Sequence, residues 1–511
     1  MKIFSVEEMV AAEKAADQAG HSYAAMMEQA GGAFAQQLID RFDPSQNILV
    51  LSGGGNNGGD GLVAARYLHQ SGHDLTVLMM AKRDAEDDVN YAKLLELGIT
   101  ILEPIAKTLP DELEHILTDC DAIVDALFGT GLSRPIVGIH ADLLEAVGRA
   151  RQLRPIFLAA VDCPSGINCD TGQADALTLD ADLTISFQGA KQGHFFYPAA
   201  DYLGELIVVD IGISPAITAK VKTELATEEF VCSLLPHRPK NGYKGTFGNV
   251  LIAAGSKLYR GAPYLSALAA FRTGSGLVNV LTTTESRELV STKLAESIVP
   301  EVGFESILDR QETIWLHGKI DQFSAVAIGP GLSDADYFVH ESLRSFQQLD
   351  VPLLFDADAL NTLSRRKSLL DNLPKKCVLT PHPGEMARLL DMPLNEFKTL
   401  NRIEVTREMA KKWRCVILLK GAHTVIANPD GQVMVLPFAN PLMAVAGSGD
   451  VLSGVIVSLL GQGLPPFEAA VLGGWLHGVA AELAKEQFGD RGMLASELAD
   501  LIPAAIQKLK Q

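Results

Sequence analysis

The chain has 511 residues, of which 47% are hydrophobic and 21% charged, and its formal net charge at pH 7 is −19. One hydrophobic core rarely organises a chain of this length, so we expect two domains, or three. The negative charge argues against a nucleic-acid partner, because affinity for phosphate backbones comes mostly from clustered Lys and Arg.

The N-terminus carries acidic residues in FSVEEMVAAEKAA, where a signal peptide needs an apolar core, so we expect no export signal and a cytoplasmic location. The apolar stretch 467–484 is short for a membrane span and contains Glu468, His477 and Glu482. It predicts a buried helix and no membrane partner. The six cysteines form no CxxC pair, so their spacing favours reduced thiols over a zinc site or a disulfide framework.

Two amphipathic helical patterns come first, at about 5–19 and 22–41. Strand-type apolar runs follow at 47–52, 74–79, 99–102, 121–125, 156–161, 182–186 and 206–210, with helical periodicity between most of them. This alternation predicts a parallel, doubly wound α/β sheet. Ligands of such sheets bind at the carboxyl ends of the strands.

The first of these strands is followed by GGGNNGGDG (53–61), which satisfies the pattern GxGxxG. The second strand ends in MMAKR, however, and lacks the acid that holds ribose hydroxyls in ordinary dinucleotide folds. The additional Asn56, Asn57 and Asp60 indicate a loop that offers side-chain oxygens as well as amides to a ligand.

Two later strands end in VDALFGTGLSRP (124–135) and VDCPSGIN (161–168), each with an Asp at the strand terminus. Asp125, Asn57 and Ser165 would converge as hard oxygen ligands, which suit an alkali or alkaline-earth cation. Asp162 remains to act as a base. The structural alternative is that these Asp and Pro-Ser-Gly residues only form turns.

Together with FQGAKQG (187–193), these motifs resemble the NAD(P)H-hydrate epimerase domain, over residues 1–215. The resemblance implies that NADHX or NADPHX, the hydrated nicotinamide dinucleotides, bind here and that Asn57, Asp125 and Ser165 bind K⁺. The residues implied in binding the hydrate are Asn56, Asn57, Gly58, Gly59, Asp60, Gly129, Thr130, Gly131, Leu132, Ser133, Arg134, Pro135 and Asp162. The hydrate carries a hydroxyl on the ring carbon beside nitrogen, and inverting that carbon requires proton transfer. Asp162 is our catalytic candidate, ahead of Lys191.

The strand pattern stops after Ser214 and a polar segment follows, so we place the domains at 1–222 and 223–511. A second α/β pattern begins at GNVLIAAGS (248–256). Its strand-end motifs are AIGPGL (327–332), LLFDADALN (353–361), VLTPHPGE (378–385) and VILLKGAHTVI (416–426). The segment lacks GxxxxGK[ST] and GxSxG, which disfavours a P-loop nucleotide site and a serine hydrolase.

The stretch AGSGDVLSG (446–454) follows a strand pattern and opens a helical one. Unpaired amides and the macrodipole at a helix start, equivalent to roughly +0.5 charge, attract phosphate. Asp450 could then take a proton from an alcohol while the amides hold the phosphoryl group under attack. The structural alternative is a helix cap.

The motifs GAPYLSALAAFRTGSGLV (261–278), GPGL, DADALN, TPHPGE and KGAHT resemble the ribokinase-like family, and within it the NAD(P)H-hydrate dehydratase, from about 244 to 503. The resemblance implies Mg²⁺ and ADP as cofactors, with Asp356 ordering the water shell of the cation. The residues implied in holding the nucleotide are Lys420, Gly421, Ala422, His423, Thr424 and Gly449. The residues implied in holding the hydrate are Ala262, Gly331, His382 and Asp450.

We therefore predict an N-terminal Rossmann-like doubly wound sheet followed by a ribokinase-like α/β domain. The predicted function is repair of hydrated NADH and NADPH. The enzyme would epimerise the R and S hydrates and dehydrate the S form as ADP is converted to AMP and phosphate. We also expect a homo-oligomer.

Two alternatives remain open at this point. The second domain could be a hydroxymethylpyrimidine-type alcohol kinase that carries an N-terminal ligand-binding domain. The first domain could be a binding scaffold, as similar domains are in eukaryotic messenger-RNA decapping factors. The presence of Asn57, Asp60, Asp125 and Asp162 disfavours the scaffold.

Overall fold

A computed structural model of the chain describes residues 1–105, 108–132, 134–302, 308–347 and 349–510. Two compact units divide the chain, Met1–Lys222 and Thr223–Gln511. Ser133, which the sequence places in the first site, lies outside the described residues. Within the described ranges, no helix combines the length and the apolar character needed to cross a membrane.

The first unit is a parallel sheet flanked by helices. Its helices are α1 (Val6–Gln18), α2 (Tyr23–Ile39), α3 (Asn56–Gln70), α4 (Val89–Glu96), α5 (Leu113–Asp119), α6 (Ile139–Leu153) and α7 (Pro215–Thr218). Its strands are β1 (Ile3–Phe4), β2 (Ile48–Ser52), β3 (Leu75–Met79), β4 (Thr100–Leu102), β5 (Ala122–Ala126), β6 (Phe157–Val161), β7 (Leu183–Phe187), β8 (Ala190–Lys191) and β9 (Glu205–Val209).

Seven of these strands form one sheet in the order β4-β3-β2-β5-β6-β7-β9, and all of its pairings are parallel. Every residue of β2 and β5 is buried, which explains their continuous apolar runs, because helices cover both faces of such a sheet. Each strand expected from the sequence is present, with bounds that differ by at most one residue. The doubly wound fold is confirmed.

A short second pairing was not expected from the sequence. Strand β1 pairs in parallel with β8, so that Phe4 lies beside Lys191. Two-residue strands are too short to show an alternating pattern. This pairing fixes the start of the chain against the segment that carries Lys191.

The second unit is a larger, mostly parallel sheet with helices on its faces. Its helices are α8 (Glu228–Ser233), α9 (Ala262–Thr273), α10 (Thr284–Lys293), α11 (Arg310–His317), α12 (Asp336–Phe346), α13 (Asp358–Arg365), α14 (Pro383–Leu390), α15 (Leu394–Phe397), α16 (Arg402–Trp413), α17 (Ser448–Gly461), α18 (Pro466–Phe488) and α19 (Ala495–Lys508). Its strands are β10 (Thr223–Leu225), β11 (Asn249–Ala253), β12 (Leu277–Leu281), β13 (Ala325–Ile328), β14 (Leu353–Phe355), β15 (Cys377–Leu379), β16 (Val416–Leu419), β17 (Val425–Ala427) and β18 (Val433–Val435).

The strand order of this sheet is β10-β18-β17-β16-β15-β14-β13-β11-β12, and β17 runs antiparallel to both of its neighbours. Strand β10 lies in the polar segment where the sequence showed no strand pattern. Helix α17 is apolar and buried from Val451 to Leu460, and it packs closely on α9. A Cβ atom at Gly454 would lie 2.1 Å from the carbonyl oxygen of Ser266, so glycine permits this close helix contact.

The start of α17 differs from the sequence expectation in one respect. A strand does not lead directly into it. Residues 436–447, which include a 3₁₀ turn at Pro441–Met443, separate β18 from the helix. The stretch around Asp450 is therefore preceded by a loop and not directly by a strand.

Two candidate active sites at the carboxyl ends of the strands

The first site begins at the glycine-rich turn between β2 and α3. A Cβ atom at Gly53 would lie 2.0 Å from the carbonyl oxygen of Leu127, so only glycine fits there. Arg83 donates hydrogen bonds to the carbonyl oxygens of Gly53 (2.7 Å) and Gly55 (2.9 Å) and so holds the turn in place. Helix α3 has no side-chain N-cap, which leaves its first-turn amides available to an anion.

A cavity of about 620 Å³ opens at this turn. The residues expected from the sequence that line it are Asn56, Asn57, Asp60, Gly129, Thr130, Gly131, Leu132, Arg134 and Asp162. Gly58 and Gly59 are instead buried within α3, and Pro135 is not among the lining residues. The side chains of Asn56, Asn57 and Asp60 project from the first turns of a helix and not from a loop, which corrects the sequence-based expectation.

Helix α1 contributes lining residues that the sequence analysis missed, namely Met9, Val10 and Glu13. Glu13 follows two alanines in an amphipathic helix, where an acid is usually solvent-facing. Its placement against the cavity depends on how α1 packs on the sheet, which the helical pattern alone does not report.

A buried pair links two of the strand ends below this cavity. The Ser165 hydroxyl donates to Asp125 Oδ1 (2.6 Å), and the Ser165 main-chain N–H donates to Asp125 Oδ2 (2.8 Å). The Phe128 N–H in turn donates to the Ser165 hydroxyl (3.0 Å). Burial raises the pKa of the Asp125 carboxyl, and the bonds from Ser165 oppose that rise.

Asn57 lies against Gly129, the residue after Phe128. A Cβ atom at Gly129 would be 3.0 Å from Asn57 Oδ1, and Asn57 Nδ2 is buried without a hydrogen-bond partner among the described residues. The two ends of an amide have nearly the same shape, and exchanging them would place an oxygen at the unpartnered position. Asn57, Asp125 and Ser165 thus supply amide, carboxylate and hydroxyl oxygens, the donors that hard cations prefer.

The neighbouring carboxylate, Asp162, is held by one oxygen. Its backbone has a positive φ of 62°, a conformation that Asp tolerates better than most residues. Oδ1 accepts hydrogen bonds from the Ser186 hydroxyl (3.1 Å), the Phe187 N–H (3.0 Å) and the Lys191 ammonium. In the described part of the chain no donor reaches Oδ2. This oxygen is therefore free to exchange a proton with a ligand in the cavity.

Lys191, the second catalytic candidate from the sequence, is among the residues that line the cavity, and its side chain is fully buried. Besides Asp162, its ammonium donates to the Ser186 hydroxyl (3.0 Å) and to the carbonyl oxygens of Phe187 (3.1 Å) and Gly189 (3.3 Å). A buried charge is tolerated only when it is paired and hydrogen-bonded in this way. Lys191 therefore positions Asp162 and balances its charge.

Two further carboxyls, those of Asp60 and Glu13, line the cavity with Asp162. Burial raises the pKa of Asp60 well above its usual range, and the negative charges of Asp162 and Glu13 add to the rise. Burial and then Asp162 also raise the pKa of Glu13, while Lys191 lowers it. Asp60 consequently retains its proton more readily than an ordinary Asp and can act as a proton donor.

A cavity of about 790 Å³ lies elsewhere in the same unit. Its lining includes Asp121, Phe157 and Asp182, which stand at the amino ends of β5, β6 and β7. Ligands of parallel sheets bind at the opposite edge. None of the described residues that the sequence assigned to a site lines it, so we place the first site in the smaller cavity.

The second site is centred on the start of α17. Gly447 precedes the helix with φ of 93°, and a Cβ atom there would meet the Leu265 side chain at 2.5 Å. The helix has no side-chain N-cap, so its first-turn amides can hold an anion. Burial raises the pKa of Asp450, in the first turn, to about 7. Asp356 adds to this rise and Lys420 opposes it. A carboxyl with this pKa is suited to general-base catalysis near neutral pH.

A buried ion-pair network supports that helix start. The Lys420 ammonium donates to Asp356 Oδ1 (2.7 Å) and lies 3.8 Å from Glu385 Oε2. The Ser453 hydroxyl donates to the other oxygen of Asp356 (2.7 Å). A Cβ atom at Gly449 would be only 3.6 Å from the Lys420 ammonium. Lys420 therefore adds a positive charge beside the amides of α17.

The residues Lys420–Thr424 form the turn between the antiparallel strands β16 and β17. Arg402 lies partly buried beside this turn and donates to the carbonyl oxygen of Ala422 (2.8 Å). Burial lowers the pKa of Arg402 to about 10, and its guanidinium remains charged at neutral pH. The sequence analysis missed Arg402, because it lies on α16, away from the motif that it supports.

His382 caps helix α14. Its Nδ1 accepts hydrogen bonds from the N–H groups of Gly384 (3.0 Å) and Glu385 (3.4 Å). Burial, and then the charges of Lys420 and Arg388, lower the pKa of His382, so the ring is neutral at pH 7. With Nδ1 as acceptor, the ring hydrogen sits on Nε2, which lies 3.4 Å from Glu385 Oε1. The ring is half-exposed, so a ligand can still reach it.

The structure also brings Ala262 and Gly331 together. A Cβ atom at Gly331, where φ is 63°, would lie 3.0 Å from Cβ of Ala262. One turn along α9 from Ala262, the Ser266 hydroxyl donates to the carbonyl oxygen of Asp450 (2.9 Å). Helix α9 thus connects the substrate residues expected from the sequence to the base.

His477 is a supporting residue that the sequence showed only as a polar interruption in a buried helix. Its Nε2 lies 2.9 Å from the carbonyl oxygen of Ser448. Burial lowers its pKa to about 4. The neutral ring therefore donates its hydrogen to that oxygen and fixes the start of α17.

Family comparisons match both units separately. A family model described as NAD(P)H-hydrate dehydratase matches residues 250–504. A second, described as YjeF-related protein N-terminus, matches residues 23–193.

Individual relatives match over nearly the full chain or over the second unit. The bifunctional NAD(P)H-hydrate repair enzyme Nnr of Moorella thermoacetica is 37% identical and covers 95% of this chain and 93% of its own length. The structure of a ribokinase-like superfamily protein from Enterococcus faecalis is 27% identical, covers 56% of this chain and 96% of that chain, and has a TM-score of 0.50. The ADP/ATP-dependent NAD(P)H-hydrate dehydratase of Bacillus subtilis, crystallised with ATP/Mg²⁺, is 32% identical to this chain. Its structure covers 56% of this chain and 98% of its own chain, with a TM-score of 0.48.

Proposed function

The chain belongs to the family of bifunctional NAD(P)H-hydrate repair enzymes, and we propose which of its residues carry the epimerase and dehydratase reactions. We assign epimerisation to residues 1–222 and dehydration to residues 223–511. The observation that carries the assignment is the same in both units. In each unit a carboxylate accompanies a helix start that lacks a side-chain cap. Asp162 lines the same cavity as the start of α3, and Asp450 lies in the first turn of α17.

For epimerisation, we assign the base to Asp162. Its Oδ2 takes the proton of the ring hydroxyl as the carbon–nitrogen bond opens, while Lys191 holds Oδ1. Asp60, whose raised pKa favours its protonated form, donates a proton to the departing ring nitrogen. Closure on the opposite face reverses both transfers and gives the other epimer. The amides of α3 and the 129–135 segment hold the dinucleotide phosphates and sugar.

The oxygen donors Asn57, Asp125 and Ser165 fit a K⁺ ion. Only one of them is a carboxylate, which balances a single positive charge, and Asn57 has an unpartnered amide at that place. A bound K⁺ would supply positive charge near the substrate and would offset the cost of the buried Asp125 carboxylate.

For dehydration, we assign the base to Asp450. It takes the hydroxyl proton of the S hydrate, and the oxygen forms a bond to the terminal phosphorus of ADP as the bond to AMP breaks. The α17 amides and Lys420 stabilise the charge on that phosphoryl group. Phosphate then leaves with the carbon–oxygen bonding pair, and loss of a ring proton restores the double bond. His382, Ala262 and Gly331 hold the nicotinamide ring.

The residues Gly421, Ala422, His423, Thr424 and Gly449 complete the proposed nucleotide site. Asp356 already binds Lys420 and Ser453 through its two oxygens, so it fits a role in ordering waters around Mg²⁺ better than direct ligation. A bound Mg²⁺ supplies charge neutralisation to the phosphates.

The alternative of a hydroxymethylpyrimidine-type kinase is not better supported, since the relatives that match the full chain are named as hydrate repair enzymes. The scaffold alternative for the first unit is disfavoured by the cavity, which retains Asn57, Asp60 and Asp162. The predicted homo-oligomer stays a prediction, which light scattering can test.

The direct test follows the near-ultraviolet absorbance of NADH in a mixture of both hydrate epimers. Protein and Mg²⁺ are added with ADP, with ATP or without nucleotide. We expect complete recovery that depends on ADP. Recovery of the S fraction alone would remove the epimerase assignment, and no recovery with either nucleotide would overturn the proposed function.

A further inference from the structure

Three sulfur and nitrogen ligands meet in the first unit, next to the epimerase residues but outside the cavity. The Sγ atoms of Cys163 and Cys169 and a ring nitrogen of His194 all lie within 4.8 Å of one another. All three side chains are at most 1% exposed. Among the described residues, this is the group whose ligand atoms are arranged to hold a metal ion.

The imidazole of His194 is incompletely satisfied. Its Nδ1 lies 3.3 Å from the main-chain N–H of Lys191, whereas Nε2 is buried and has no hydrogen-bond partner in the described residues. Buried side-chain nitrogens are nearly always partnered by protein, water or an ion. The unpartnered Nε2 therefore points to a ligand that the protein atoms do not supply.

The Cys163 thiol has only weak partners in the main chain. Its Sγ lies 3.6 Å from the carbonyl oxygen of Pro164 and 4.0 Å from that of Ile167. A bound dication would stabilise both thiolates, and two protons would be released as it binds.

We propose that Cys163, Cys169 and His194 bind one Zn²⁺ ion. Thiolate and imidazole are the ligands that zinc prefers, and two thiolates neutralise a dication in this buried site. Three protein ligands are sufficient when one more donor completes the tetrahedron. The site is distinct from the oxygen donors Asn57, Asp125 and Ser165, which suit a hard cation.

The position of this ion explains what it would do. Cys163 directly follows Asp162, and the segment from Cys163 to Cys169 carries Ser165. His194 lies in the 3₁₀ turn Gln192–Phe195, which follows Lys191. The ion would connect the segment of the base to the segment of the lysine that positions it. When Nε2 binds the ion, the ring hydrogen moves to Nδ1. Nδ1 can then no longer accept the hydrogen bond from the Lys191 N–H, which at 3.3 Å is already long.

The spacing of these ligands hides them in the sequence. Cys163 and Cys169 are too far apart for a CxxC motif, and the histidine follows after two further strands, β7 and β8. Only the fold brings them together, so the expectation from spacing of no zinc site does not apply to this group.

The test measures metal content in the full-length protein. The chain is produced in zinc-supplemented medium, purified with a thiol reductant, and freed of loosely bound metal with a chelator before elemental analysis. We expect one zinc per chain in the wild type, and loss of that zinc in Cys163→Ser and in His194→Leu. Cys120→Ser is the matched control, a buried cysteine of the same unit outside the group, and it should retain zinc.

Cobalt substitution supplies a second readout that needs no variant. Wild-type protein produced with Co²⁺ should show the intense absorption of sulfur-to-cobalt charge transfer. A wild type without zinc and without this absorption overturns the proposal, even if the variants fail to fold. Retention of the zinc by folded Cys163→Ser and His194→Leu would also overturn it. Because neither readout involves hydrate turnover, Asp162→Asn should retain the metal, and the outcome is independent of the proposed epimerase mechanism.

Discussion

Replacing Asp450 by Asn should slow dehydration and, at the same time, stabilise the protein above about pH 7. The loss of a positioned base typically costs about 10²–10⁴-fold in rate. The gain in stability follows from the cost of burying a carboxylate, because the pKa of Asp450 is about 7 in the folded protein, against its usual 3.8. Catalysis thus requires a charge that the fold disfavours.

The magnitude of the stability effect follows from this difference in pKa. Between about pH 4 and about pH 7 the folded protein keeps the Asp450 proton that the unfolded chain has released. The free energy of unfolding therefore falls as pH rises through this window, by at most about 4 kcal/mol, and it remains lowered above about pH 7. Partial exposure of Asp450 reduces this value. Asn carries no charge, so the variant should avoid the whole loss above about pH 7 and match the wild type below about pH 4.

Denaturant unfolding of both proteins at about pH 5 and about pH 8 measures this difference. The dehydration rate of the wild type should also rise with pH through about 7, and this rise should be absent in Asp450→Asn. Asp490→Asn, which removes an exposed carboxylate of the same unit, is the control and should change neither property. An Asp450→Asn variant that dehydrates at the wild-type rate, or that is less stable than the wild type at about pH 8, would refute the reasoning.

Three further predictions concern the first unit. Lys191→Met should abolish consumption of the R hydrate and leave dehydration of the S hydrate intact, because Asp162 loses the cation that positions it; normal R turnover would contradict this role. Asp125→Asn should weaken the activation of epimerisation by K⁺. The rate is measured at increasing KCl, with choline chloride keeping the ionic strength constant. An unchanged K⁺ dependence would argue against a K⁺ site at Asp125. Gly53→Ala should destabilise the unit by about 1–3 kcal/mol in denaturant unfolding, because its Cβ would lie 2.0 Å from a carbonyl oxygen. Gly55→Ala, with nothing within 4 Å of its Cβ, is the control, and equal effects would show that packing at Gly53 is not the cause.

The strand ends were predictable from the sequence because buried parallel strands are continuous apolar runs, and a polar residue marks where each one stops. Asp125 closes the apolar run of β5 and Asp162 directly follows β6, so the sequence placed both at one sheet edge. The start of α17 was equally clear, since small residues precede an apolar helical pattern. These local signals were sufficient for the fold class and for both proposed bases.

The supporting residues could not be read in the same way, because they lie far from their partners in sequence. Lys191 reaches Asp162 only because β8 pairs with β1 beside the end of β7, and His477 reaches the start of α17 from the middle of another helix. Glu13 faces the cavity because of how α1 packs. Such contacts depend on tertiary packing, for which a single sequence contains no periodic signal.

The separation of two reactions between two sites is the central claim, and a mixing experiment tests it most directly. Asp162→Asn alone should recover NADH from the S hydrate only, and Asp450→Asn alone should recover none. Mixed together with ADP and Mg²⁺, the two variants should restore complete recovery from both epimers, because the intact site of each supplies what the other lacks. Recovery by the mixture that does not exceed that of Asp162→Asn alone would contradict the account.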